Sequence, residues 1–200
     1  MNKFIKSINL FKQVTLAGFS LAGAKAINTH DGYCWHATLC AGKTKIVTVS
    51  NGGFGGPDEF DFLGSSWGSA SKKLLQPLFA LALVKEYFQD HFIQMEEWSL
   101  EAKKCTPEEF ALKKASILAG EYQIDCEMLG YLVDEIRSAK AEIASLKRKL
   151  KGKIGWRVKG KEDEDNYFQI ALEDSPENRK KLLEKYPDIS IFVNDLVKDI

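Results

Sequence analysis

Residues 33–50 read YCWHATLCAGKTKIVTVS, and this stretch decides the fold class. Tyr33, Trp35, Ala37 and Leu39 alternate with Cys34, His36, Thr38 and Cys40, the period of a strand with two unlike faces. Ala41-Gly42-Lys43 supplies a short turn, and Thr44–Ser50 returns as a β-branched run with Ile46, Thr48 and Ser50 opposing Val47 and Val49. Two such runs around a glycine turn predict an antiparallel hairpin. Residues 10–19 are read as a third strand, so residues 1–70 read as β.

Downstream the period changes. Pro77 suits a first helical position, and Leu78, Leu81, Ala82, Phe88, Phe92 and Met95 recur at helical spacing. Thr106-Pro107-Glu108-Glu109 has the form of a capping box opening a second helix, with Gly120 as a stop. Residues 125–151 predict a third helix. Leu129, Ile136, Ile143 and Leu150 fall seven apart, with Leu132, Ala139 and Leu146 as the second seam position. Glu135 precedes Lys140, and Glu142 precedes Lys147, at the offset that pairs charges between parallel helices. The seam therefore has two readings, packing within one chain or pairing with a second copy in a homodimer.

After Gly152, Ile154–Val158 and Tyr167–Leu172 read as strands around a charged turn at 160–166, and Ser175-Pro176 opens a short helix that Pro187 ends. The expectation is α+β: a small antiparallel sheet formed by the N- and C-terminal segments, with a long helical hairpin or coiled-coil insertion in the middle. In domain terms, 1–70 and 153–200 form one domain and 71–152 the insertion.

Charge excludes little in total, since 28 basic residues balance 28 acidic ones. Its distribution is uneven: +2 over residues 1–70, −5 over 71–136, +9 over 137–161 and −6 over 162–200. The basic run includes Lys147, Arg148, Lys149, Lys151 and Arg157, and with Trp156 as a stacking platform it reads as a candidate nucleic-acid surface. Against that stand two facts. Cations suit a helix C-terminus, and Glu162-Asp163-Glu164-Asp165 follows at once.

The most unusual segment is Ser50-Asn51-Gly52-Gly53-Phe54-Gly55-Gly56-Pro57-Asp58. No Gly-Lys-Ser/Thr follows, so it is neither a phosphate loop nor a dinucleotide fingerprint. One reading is a tight crossing that needs glycine backbone. The other is a recognition loop in which Asn51, Gly53, Phe54, Gly55, Gly56 and Asp58 meet a partner.

Asp58, Glu59 and Asp61 have no second acidic cluster or histidine placed beside them by sequence. Cys34, His36 and Cys40 share a strand face, yet lack the second ligand pair of a zinc site. No catalytic set, metal site or cofactor motif emerges. Four cysteines without a C-x-x-C pair read as reduced thiols. The apolar run Val14–Ala24 ends in Ala22-Gly23-Ala24 but lacks the leucine-rich centre of a secretion signal. No stretch reaches the ~20 apolar residues of a membrane span. A soluble cytoplasmic protein is expected, with no membrane partner.

Cys34–Asp58, reading Cys-Trp-His-Ala-Thr-Leu, then Ala-Gly-Lys, then Val-Ser-Asn-Gly-Gly-Phe-Gly-Gly, resembles a group of uncharacterised phage and prophage proteins. There a hairpin with a Gly-Lys turn runs into a Ser-Asn-x-Gly-x-Gly-Gly loop. Lys153-Ile154-Gly155-Trp156-Arg157-Val158-Lys159-Gly160, an acidic turn and a strand are similar to the end of the same group. The resemblance covers about a third of the chain. It implies a phage accessory protein in the cytoplasm of a bacterial host, whose ends form one domain around a helical middle, and it brings no activity to transfer. Two functions follow as expectations: a non-enzymatic protein that binds a host protein and modulates it, or a nucleic-acid-binding protein using residues 137–161.

Overall fold

The computed structural model describes residues 3–30, 32–54, 56–62, 69–161 and 166–198, and their side chains except at 3, 4 and 69–72. In chain order the elements are α1 (Lys3–Leu16), β1 (Phe19–Thr29), β2 (Gly32–Ala41), β3 (Thr44–Asn51), β4 (Glu59–Phe62), α2 (Ser69–Phe79) and α3 (Ala82–Glu101). There follow α4 (Pro107–Leu118), α5 (Cys126–Lys149), β5 (Ile154–Val158), β6 (Phe168–Ile170), α6 (Pro176–Lys185), β7 (Ile189–Phe192) and α7 (Val193–Val197). The chain is a mixture of helices and antiparallel sheet, as the α+β expectation requires.

The strands do not join in one sheet. They form a four-stranded sheet in the order β1-β2-β3-β4 and a separate three-stranded sheet in the order β6-β5-β7. Two compact units accompany them, residues 13–134 and residues 1–12 with 135–200. The limits of these units fall inside α1 and α5.

In the 13–134 unit the predicted hairpin is β2–β3, turned at Gly42 with φ +55°. Trp35, Ala37, Leu39, Val47 and Val49 are buried on one face, joined from β1 by Leu21, whose register partner is Leu39. Residues 10–19 are not the expected third strand. Most of them belong to α1, where Leu10 and Val14, four residues apart, are both buried; the added strand is β1. Pro77 opens no helix either. It lies inside α2, two residues before its end, where it forfeits only its own N–H bond to the preceding turn. The capping box forms as read: Glu109 N donates to Thr106 Oγ1 at 3.2 Å, and Thr106 N donates to Glu109 Oε2 at 2.8 Å.

In the other unit, β5 is the central strand and is buried along most of its length. Ile154 and Trp156 pack with Leu182 and Ile189. Ile143, Leu146 and Leu150 of the heptad seam pack with Ile8, Val193 and Val197. Leu129, Leu132, Ile136 and Ala139 are buried as well. The seam is consumed within one chain, so the homodimer expected through the 125–151 helix loses its surface. Gly152, at φ +68°, follows the end of α5 as a left-handed stop. Asn194 ties β5 to its surroundings, accepting from Gly155 N at 2.8 Å and donating to the Lys153 carbonyl at 2.9 Å.

Candidate functional site: the 51–58 loop and the open face of the first sheet

At the end of β3 the chain needs a turn, and Asn51 makes it. Its Oδ1 accepts from Gly53 N at 2.8 Å, and its Nδ2 donates to Asp58 Oδ1 at 2.8 Å. One side chain thereby braces both limbs of the loop. Gly53 has φ +78°, and a Cβ there would lie 2.8 Å from Cys34 Sγ and 3.1 Å from Cys34 N. Gly32 approaches the Gly53 carbonyl in the same crossing. The Cys34 thiol donates to the Gly52 carbonyl at 2.7 Å. Glycine at 53 is therefore a steric requirement. Gly56 is different, since a Cβ there would meet nothing within 4 Å and its φ is not positive.

Above this braced base Phe54 is 78% exposed. Its ring lies against Gly52, where a Cβ would come within 3.2 Å of it. Asp58, expected as a presented carboxylate, is half-buried, holds Asn51, and lies where a Cβ on Gly130 of α5 would come within 2.5 Å of it. Of the six predicted loop residues, Phe54 and Gly56 are exposed, Asn51 and Asp58 are half-buried, Gly53 is buried, and Gly55 lies outside the described residues.

Beside the loop the outward face of the sheet carries a row that sequence reading missed. Lys25, His36, Ser50 and Glu59 are register partners across β1, β2, β3 and β4. A cleft of about 270 Å³ lies over them, also lined by Ile27 and Cys34. Strands are ~4.8 Å apart, so the ends of the row are about 14 Å apart and do not pair. In the next row Thr38 and Thr48 share a hydrogen bond of 2.9 Å. The Cys34 thiol is engaged by the Gly52 carbonyl, Cys40 is buried, and His36 is exposed. Among the described residues no group of three His, Cys, Asp or Glu side chains is placed to hold a metal. All four cysteines are free thiols. The alternation had put His36 on this face, but Lys25 and Glu59 come from strands whose register no local pattern fixes.

The basic segment divides. Lys147, Arg148 and Lys149 lie in the last turn of α5 and, with Lys151, are exposed. Trp156 is 6% exposed and Arg157 2%. The indole stacks with Phe168 at 6.0 Å and Tyr186 at 5.7 Å between centroids, so no base can reach it. Both residues leave the candidate nucleic-acid surface because β5 is an inner strand. The acidic run 162–165 lies outside the described residues. Among the described residues no helix is long and apolar enough to cross a membrane.

Searches of protein-family models, curated proteins and solved structures gave no match to the chain.

Proposed function

We propose that the chain is a non-enzymatic interaction protein, an accessory factor of a phage that binds a protein of its bacterial host, such as a defence protein, and modulates it. The docking element in this reading is the 51–58 loop. One observation carries it: Phe54 is 78% exposed on a loop pinned at both limbs by Asn51. A large aromatic held ready on a pre-ordered loop loses little entropy on binding, and such side chains dominate interface energies. The adjoining row of Lys25, His36, Ser50 and Glu59 supplies hydrogen-bonding groups of both signs for the rim of such an interface. The host setting rests on the resemblance of residues 34–58 and 153–160 to phage proteins. The nucleic-acid reading keeps the exposed cations of residues 137–161 but loses Trp156 as its stacking platform, because that indole is buried.

The test is affinity capture from bacterial lysate, with and without nuclease, followed by binding of the captured protein in purified form. The reading expects a nuclease-resistant partner whose affinity falls by about 2 kcal/mol with Phe54→Ala. Retention of no protein, or equal binding of the variant, overturns it.

A further inference from the structure

The cleft beside the 51–58 loop holds one charge of each sign, at opposite ends. Lys25 of β1 and Glu59 of β4 both line it, and among the described residues they are its only ammonium and its only carboxylate. Both are exposed, and no ion pair or side-chain hydrogen bond among the described residues engages either. They close a row of register partners whose inner members are His36 and Ser50. Three strand spacings therefore separate them, about 14 Å.

The charges around the row keep this polarity. Asp61, two residues on from Glu59 and so on the same side of β4, is exposed and adds to the negative end. Lys45 is exposed too, but its register partner is Cys40, four residues along β2 from His36 and so about 13 Å away from the row. Asp31, between β1 and β2 in the chain, lies outside the described residues. One row over on the other side, Ile27 is 65% exposed and faces its register partner Cys34, an apolar wall for the cleft.

We propose that this cleft takes an extended segment of the protein partner, lying across the strands, in which an acidic and a basic residue stand four positions apart. Charge complementarity chooses the two ends, a carboxylate for Lys25 and an ammonium or guanidinium for Glu59 and Asp61. The span chooses the spacing. An extended chain rises about 3.4 Å per residue and shows residues i, i+2 and i+4 on one face, so i and i+4 also lie about 14 Å apart. The residue at i+2 then sits over His36 and Ser50, whose imidazole and hydroxyl offer hydrogen bonds to its backbone. A free amino acid carries both charges on one carbon and cannot reach both ends. A nucleic-acid strand, anionic throughout, is repelled at Glu59 and Asp61, and a wholly apolar segment gains nothing from either charge. The inference deepens the reading of the 51–58 site and rests on it for the partner being a protein.

The experiment titrates the full chain with synthetic peptides and follows its amide NMR shifts, which register weak binding. The mixed peptide Thr-Glu-Thr-Val-Thr-Arg-Thr should move the amides of His36 and Ser50. Its relatives with two glutamates or two arginines at the charged positions should bind about fivefold more weakly, the scale of an exposed charge pair. Thr-Thr-Glu-Thr-Arg-Thr-Thr, with the charges two apart, should bind no better than those relatives. Lys25→Glu should turn the preference to the two-arginine peptide. Glu59→Lys, made together with Asp61→Asn, should turn it to the two-glutamate peptide. All three positions are exposed, so each variant should keep the wild-type melting curve. Phe54→Ala should leave the titration unchanged, so a failure of the loop reading, which shows in capture of the host protein, is told apart from a failure here. No shift at His36 and Ser50 with the mixed peptide, equal binding of mixed and same-sign peptides, or charge reversals without the reversed preference overturns the proposal.

Discussion

Asn51 donates to Asp58 across the glycine loop at 2.8 Å while accepting from Gly53 N at the same distance, so one amide fixes the platform from which Phe54 projects. Replacing Asn51 by Ala deletes both bonds and leaves Phe54 in place. The expected loss is about 1–2 kcal/mol of stability, since both bonds are partly buried. Partner binding should weaken as well, through loss of loop order and not of contact. Hydrogen exchange at Gly53 N reads the first effect directly, and unchanged protection there would refute the brace.

Gly53 and Gly56 separate the two readings of the loop. Gly53→Ala forces a side chain into φ +78° and against Cys34, and should cost about 1–3 kcal/mol. Gly56→Ala meets open space at an ordinary φ and should be within about 0.5 kcal/mol of neutral. Denaturant midpoints of the two variants make the comparison. Equal losses would mean that the crossing with β2 is not what requires glycine.

The heptad seam predicts a loss of stability that is indifferent to concentration. Leu146 is 5% exposed and packs with Ile8, Val193 and Val197 of the same chain. Leu146→Ala should cost about 2–5 kcal/mol by the lost burial and the cavity left behind. A dimer seam would make the melting temperature rise with protein concentration. An intramolecular seam keeps the wild-type-to-variant difference constant across a dilution series.

What was legible in the sequence had local causes. The Thr106–Glu109 capping box depends on side chains three residues apart, and it forms as read. The β2–β3 hairpin follows from a period of two and a glycine turn. What failed to show depends on distant partners. Strand β1 buries Phe19 and Leu21 and little beyond them, so it carries no sustained alternation, and α1 hides beside it. Nothing in 154–158 says that a second and a third strand will flank it, which is why Trp156 and Arg157 looked available. A heptad pattern states that a helix has an apolar seam, not which surface covers it. The loop's bracing by Asn51 was visible as residue types, while the row from Lys25 to Glu59 required the register of four strands.

Arg179 gives the 135–200 region a pH dependence. Its Nε and Nη2 donate to the two oxygens of Asp174 at 2.5 and 2.8 Å, its Nη1 to Asp195 at 2.9 Å, and its guanidinium lies 4.6 Å from the centre of the Phe192 ring. The hydrogen bonds from Arg179 hold the Asp174 carboxyl below its ordinary value of 3.8, against the opposing effect of burial. A carboxyl depressed in the folded state contributes stability that is present above the unfolded value. That contribution is lost as the pH falls through 3.8 towards the folded value, where the unfolded chain binds more protons. Arg179→Gln should therefore cost about 1 kcal/mol near neutral pH, a modest figure because the pair is partly solvated. The same variant should lose less stability than wild type on acidification, so the two melting-temperature profiles should converge once the pH has fallen below the depressed folded value of Asp174. Parallel profiles would show that Asp174 draws nothing from Arg179 that titrates.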